Sequence, residues 1–230
     1  MSGWQHTRLL VAAAAWAAVT VLAACSGLAH PTPSMGQGSI ALPAPRLESE
    51  TSLEQALSAR HSVRSFSAQT LTWVEISQLL WAAQGITRDW GARTAPSAGA
   101  LYPLEIYVST ATGVYHYLPQ GHQAIGIQDA DAREGLWQAG LKQDAIRQAP
   151  TVFIITATYE RTSGKYGDRA VRYVHLEAGH AAQNLLLQAV ALGLGGVPIG
   201  AFDDAKVQAV LGLPEAQKPL YLIPIGYPED

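Results

Sequence analysis

The stretch Arg60-His61-Ser62-Val63-Arg64-Ser65-Phe66 decides how the rest of the chain is read. Two arginines four residues apart with a hydroxyl between them form a donor set suited to an anionic group, because guanidinium forks match the geometry of phosphate oxygens. A solvated surface turn would use the same residue types, and spacing alone does not choose between the two. A helix is expected just before the stretch. Ser52 is placed as an N-cap with Gln55 at the third helical position, and Leu53, Ala56 and Leu57 carry the helical spacing to Ala59. A second helix is expected after it, opening at Thr72 with Glu75 placed to reach back, and Ile76, Leu79, Leu80 and Ala83 line one face before Gly85.

Further along, Pro96-Ser97-Ala98-Gly99-Ala100-Leu101-Tyr102-Pro103 stands directly before an apolar run. Small residues with a hydroxyl and a glycine let backbone amides come close to a planar or anionic ligand, although a plain turn entering a strand has the same composition. The run Gly193-Leu194-Gly195-Gly196-Val197-Pro198-Ile199-Gly200 does not fit G-x-G-x-x-G, because Pro198 takes the last glycine position and a helix, not a strand, precedes it. A Rossmann nicotinamide site is not supported.

Leu104 to Val108 and Val114 to Tyr117 read as strands, and Thr151 to Ala157 as a third, more completely apolar one. One helix is expected from about Asp131 to Gln148, stopped by Pro150. The longest helical pattern runs from about Tyr173 to Leu192 and is ended by Gly193. An apolar stretch from Val197 to Ile199, a helix capped by Asp203 and a strand from Tyr221 to Gly226 complete an α+β pattern without regular βαβ alternation, which disfavours a doubly wound sheet. His175 and His180 lie on diverging helix faces, so no metal site is expected.

The chain has 230 residues, 48% hydrophobic and 14% charged, which is ample for one domain with a sizeable core. A net charge of −3 leaves no basic excess to hold a polyanion, so nucleic acid is not an expected partner. The single cysteine, Cys25, excludes an intrachain disulfide and any multi-cysteine metal site. It ends the apolar run from Leu9 to Ala24, and Leu22-Ala23-Ala24-Cys25-Ser26 resembles the lipobox of bacterial lipoproteins. On that resemblance residues 1–24 are a signal peptide, Cys25 is the lipidated first residue, and Ser26 after it implies a cell-envelope protein in the outer membrane, facing the periplasm. An uncleaved membrane anchor is the alternative, though the run is shorter than the roughly 20 residues a spanning helix needs. Residues 25–50, with Pro31, Pro33, Pro43 and Pro45, read as a tether, and residues 51–230 as the folded domain.

Taken together and in order, these segments resemble the nitroreductase superfamily. Arg60, His61, Ser62, Arg64 and Phe66 match its R-[RH]-S-x-[RK]-x-F signature. The resemblance extends to the SagB-type branch, which includes dehydrogenases that oxidise thiazolines and oxazolines in peptide natural products. It is carried there by the Pro96 to Pro103 run, by Glu177-Ala178-Gly179-His180 with Gln183-Asn184, and by Pro224-Ile225-Gly226-Tyr227-Pro228, and it spans Leu53 to Pro228. It implies a mostly antiparallel sheet flanked by helices, a homodimer joined through long central helices, and FMN at the subunit interface. Arg60, His61, Ser62 and Arg64 would then hold the FMN phosphate and ring edge. Ser97, Ala98 and Gly99 would approach from the partner subunit, with the backbone at Ile199 and Gly200 near flavin N5. Many members carry a basic residue shortly after the final Gly-Tyr-Pro, where this sequence has Glu229 and Asp230. Ala100 and Tyr102 stand where ordinary nitroreductases often have Asn and Gln, which fits the SagB-type branch better.

In the azoline-oxidising members a Lys-Tyr pair at the position of Lys165-Tyr166 is associated with catalysis, and a Lys or Tyr of lowered pKa can act as a base. An exposed polar loop is the competing account of residues 160–169. The expected activity is an FMN-dependent oxidoreductase acting on a small organic substrate, without NAD(P)H as its ordinary partner, since an exported protein meets no soluble nicotinamide pool. An NAD(P)H-dependent nitro or quinone reductase is the alternative, as is a flavin-free envelope binding lipoprotein.

Overall fold

A computed structural model describes residues 38–229. Hydrophobic spacing and helix caps account for most of its elements. α1 (Leu53–Ala59) and α2 (Trp73–Gln84) each begin with a complete capping box, Ser52 with Gln55 and Thr72 with Glu75, so two orphan amide donors are satisfied at each start. α6 (Ala170–Ala191) is the longest helix. α7 (Asp204–Leu211) is capped by Asp203 and stopped by Gly212 in the left-handed conformation.

Seven strands form one sheet: β1 (Ser39–Ala41), β2 (Leu104–Thr110), β3 (Gly113–Leu118), β4 (Gln123–Gln128), β5 (Thr151–Thr158), β6 (Gly195–Gly196) and β7 (Gln217–Gly226). Their order is β1-β4-β3-β2-β5-β7-β6, and every neighbouring pair is antiparallel. β5 lies inside the sheet between β2 and β7, and its apolar run has no polar alternation because both faces are covered. Phe153 and Ile155 pack with Leu79, Leu80, Val174, Ala178 and Leu185 of α2 and α6. Val152 and Ile154 face the other way, onto Leu136 of α3 (Arg133–Ala139), Ile146 of α4 (Asp144–Gln148) and Val207 and Leu211 of α7. The result is a sheet between two helical layers, the expected α+β fold. Among the described residues no helix is long and apolar enough to cross a membrane.

Three local readings are corrected and one strand is added. The single helix expected from Asp131 to Gln148 is two, because Leu141 and Lys142 take positive φ after Gly140, against which Ile146 packs. Residues 38–50, read as tether, enter the domain. Ser39–Ala41 pairs with β4, Leu42 is buried, and the Arg46 N–H donates to the Gln78 side-chain oxygen at 2.8 Å. β4 itself had no expected counterpart. Residues 160–166 form a helix, α5 (Glu160–Tyr166), in place of a polar loop. Residues 1–24 and Cys25 lie outside the described residues.

Candidate functional site

Backbone pairing fixes residues 60–66. Arg60 ends α1 by donating its N–H to the Ala56 carbonyl, and the chain then runs beside β6. Ser62 bridges Gly196 in parallel, and the Val63 N–H donates to the Gly196 carbonyl at 3.1 Å. The approach depends on Gly195, where a Cβ would stand 2.5 Å from Val63 Cγ2. At the other end Phe66 is buried over Gly226 and bridges Pro228, and the Glu229 N–H donates to the Ser65 carbonyl.

The backbone is thus pinned by its pairing. Among the described residues, the side chains of Arg60, Ser62 and Arg64 enter no hydrogen bond or ion pair, whereas His61 Nδ1 lies 3.0 Å from the Ala59 carbonyl oxygen. Arg64 and Ile199 line one cleft of about 450 Å³ with Ser65, Gln143, Asp144 and Val197. The Ile199 N–H is held by the Leu222 carbonyl at 2.8 Å, and a Cβ on the adjacent Gly200 would meet nothing within 4 Å. The Arg64 guanidinium and the backbone leading to Gly200 therefore border one cleft, and a guanidinium there suits a phosphate oxygen.

The second group assembles elsewhere. Ser97 precedes a short 3₁₀ turn over Ala98–Ala100, in which Gly99 has φ +64° and Ala100 φ +54°, and Tyr102 follows at φ +46°. A Cβ on Gly99 would lie 2.8 Å from the Tyr166 hydroxyl and 3.0 Å from Lys165 Nζ. Two segments far apart in sequence, both singled out as functional, are thus in contact. Tyr166 also packs edge-on to Tyr173, with centroids 5.0 Å apart. α5 is held to the loop by Arg161, which donates to the Tyr102 carbonyl at 3.1 Å and pairs with Glu105. No hydrogen bond joins this group to residues 60–64 among the described residues.

Behind the loop lies a polar network that the sequence analysis did not identify. Glu177, on the buried face of α6, is 2% exposed and accepts from Gln84 Nε2 at 3.5 Å. Burial pushes its carboxyl up to about 7, against the opposing hydrogen bonds of Ser97 and Gln84 and the charge of Arg93. Arg93 donates to Gln84 Oε1 at 3.1 Å and stacks on the Tyr102 ring at 4.3 Å. Glu105 accepts from His116 at 2.8 Å and from Arg161, and these partners outweigh burial and hold its carboxyl below the usual range. A charged residue in the apolar stripe of the longest helix was the available signal. His175 hydrogen-bonds the Tyr159 hydroxyl at 2.6 Å.

The nitroreductase family profile matches residues 57–227, which takes in both groups and the network. The chain belongs to the nitroreductase family. A protein of Methanocaldococcus jannaschii named for its likeness to nitroreductases is 48% identical over 183 residues, covering 77% of this chain and 91% of that one. The NADPH-flavin oxidoreductase of Vibrio harveyi is 30% identical over 114 residues, covering 46% of this chain and 48% of that one. The microcin B17-processing protein of Escherichia coli is 29% identical over 133 residues, 53% of this chain and 48% of that one. The chain thus matches about half the length of these last two. Among solved structures, a nitroreductase-like protein of Ralstonia eutropha superposes with a TM-score of 0.77 at 30% identity, covering 84% of this chain and 90% of that one. As a nitroreductase-family member the protein is an oxidoreductase of a family whose members typically bind flavin.

Proposed function

We propose that this protein is an FMN-dependent, SagB-type oxidoreductase that removes hydride and a proton from a small organic substrate. The observation that carries the reading is the placement of the Tyr166 hydroxyl and the Lys165 amine against Gly99 of the Pro-Ser-Ala-Gly loop. When bound, FMN would supply a two-electron acceptor. The chain's share would be to bind, orient and move the proton. Arg60, His61, Ser62 and Arg64 would hold the phosphate side, with the backbone at Ile199 and Gly200 beside the ring. In a homodimer Ser97, Ala98 and Gly99 would come from the second subunit. Lys165 or Tyr166, acting as a base, would take a proton from one substrate atom while hydride leaves the neighbouring carbon for the flavin, and the electron pair of the broken bond to the proton becomes a double bond between those two atoms.

The test is anaerobic mixing of purified holoenzyme with a thiazoline-containing peptide. Bleaching of the flavin that slows in Lys165→Ala and Tyr166→Phe, at unchanged FMN content, supports the reading; equal rates in the variants reject the assigned base. A second reading is favoured by the likeness to the Vibrio NADPH-flavin oxidoreductase, namely reduction of the flavin by a nicotinamide. Rapid bleaching by NADH or NADPH at the turnover rate would establish it instead.

For location we keep the lipid anchor at Cys25 and an envelope placement, supported by the Leu22-Ala23-Ala24-Cys25 sequence. If Cys25→Ser leaves the protein membrane-bound and unprocessed, the anchor is not a lipid.

A further inference from the structure

Arg93 is a partly buried cation without a counterion. Its backbone is fixed, since Ile86 bridges it in antiparallel register and its N–H donates to the Tyr102 hydroxyl at 3.3 Å. Its guanidinium packs on the Tyr102 ring and makes one side-chain hydrogen bond among the described residues, from Nη1 to Gln84 Oε1 at 3.1 Å. Nε is buried with no acceptor, and neither Nη2 nor any ion pair completes the group among the described residues. The neighbouring cations differ, because His116 and Arg161 both close on Glu105. A guanidinium taken partly out of water is costly unless an anion or a full set of acceptors meets it. Burial accordingly pulls the Arg93 pKa below the ordinary arginine range, although Glu105 and Glu177 oppose it.

Arg93 lines a cavity of about 270 Å³ together with Gln84, Glu105, His116, Gln120 and Arg161. None of these residues borders the cleft of Arg64 and Ile199, and none is assigned a flavin contact, so binding here does not need flavin. We propose that this cavity is a second ligand site, which takes a small monocarboxylate whose oxygens supply the Nε–Nη2 edge of Arg93 with the acceptors it lacks. A carboxylate is planar and matches the guanidinium fork. The charge on the walls sets how much anion the cavity accepts. Arg93 and Arg161 face Glu105, and burial keeps the Glu177 carboxyl behind them protonated at weakly acid pH, so one positive charge is in excess with His116 neutral. A monoanion balances that excess. A dianion overshoots it and meets the repulsion of Glu105.

The experiment is a calorimetric titration of the purified full chain at weakly acid pH with sodium propionate, and with propionamide as its uncharged counterpart of the same shape. Wild type should bind propionate saturably and propionamide about tenfold more weakly or worse, the size of one hydrogen bond to a charged group. Equal binding of the two, or no binding of propionate, overturns the proposal without any variant. Arg93→Gln should weaken propionate by about tenfold or more, and Arg93→Lys, which keeps the charge but not the fork, should fall between it and wild type. Wild-type affinity in an Arg93→Gln protein with an unchanged circular dichroism spectrum overturns the proposal. If Arg93→Gln does not fold, Arg93→Lys decides in its place, and wild-type affinity there overturns the fork. Arg64→Ala should bind propionate as wild type does, and a loss in that variant would place the anion in the other cleft and overturn the assignment. Sulfate should displace propionate poorly, and displacement at a lower concentration than propionate itself requires would overturn the choice of a monocarboxylate.

Discussion

At the scale of single residues, the buried acid has a consequence for stability. Burial holds the Glu177 carboxyl of the folded state at about 7, against 4.5 for a free carboxyl. Between these pH values the native protein binds more protons than the unfolded chain, so this group's contribution is most favourable below the unfolded pKa and is lost as pH rises to about 7. Glu177→Gln removes the slope. Urea unfolding should show the variant more stable than wild type on the alkaline side, by up to roughly 3 kcal/mol from the size of the shift, and nearly equal to it in acid. Equal stabilities at alkaline pH would contradict this. Gly99 gives a second residue-level prediction. Its φ of +64° disfavours any side chain, and a methyl there meets the ends of Tyr166 and Lys165. Gly99→Ala should cost about 1–2 kcal/mol in chemical denaturation and slow substrate-driven flavin reduction, because both side chains must shift.

At the scale of elements, the caps and the glycines do different work. Thr72→Ala removes the hydroxyl that accepts the Glu75 N–H at the start of α2 and should cost about 1 kcal/mol without altering the site. Gly195→Ala acts on the site through the sheet. The added methyl falls 2.8 Å from Val63 Cβ, a branched side chain that cannot swing aside, so residues 60–66 must leave the sheet edge. A loss of roughly 1–3 kcal/mol should accompany weakened FMN binding when apoprotein is titrated with FMN and flavin fluorescence is followed. These elements also show what was legible. The starts of α1 and α2 could be read because a capping box is local in sequence, as could the both-sides-buried run of β5. The split between α3 and α4 could not, because the left-handed Leu141 and Lys142 are not residues that advertise a turn. β4, Gln123–Gln128, carries Gly126 and two glutamines and is held by its neighbours rather than by its own pattern. α5 contains Ser163 and Gly164, both poor helix formers, and Arg161 anchors it to Tyr102 and Glu105. Of the site, the motif residues could be read. The Glu177 network could not, since its members are scattered between positions 84 and 177 and only the packing of α2 on α6 unites them.

At the scale of the whole molecule, the two groups of site residues are unjoined by hydrogen bonds among the described residues, and the proposed association of two chains would complete a flavin site between them. The face available for it carries exposed apolar side chains among polar ones. Leu53 and Leu57 of α1 are 61% and 52% exposed, and Val171 and Leu176 of α6 are 51% and 55% exposed, although these helices pack against each other. On α6 the residues left outside the core include Val171, His175, Leu176, His180 and Gln183, a stripe along one side, and a Cβ on Gly179 within it would meet nothing within 4 Å. A glycine at that place lets a second helix come close. Exposed leucines contribute little to the fold of one chain, so Leu57→Glu with Leu176→Glu should leave the circular dichroism spectrum and the chemical unfolding midpoint close to those of an isolated subunit. In a dimer the same substitutions bury charges without partners and should be strongly disruptive. Sedimentation should then show wild type as a dimer and the double variant as a monomer, and FMN should be lost together with the dimer because the Arg60 and Ser97 groups no longer face one ligand. A wild-type monomer that holds FMN fully would show that one chain completes the site alone, and a double variant that stays dimeric would place the interface on another face.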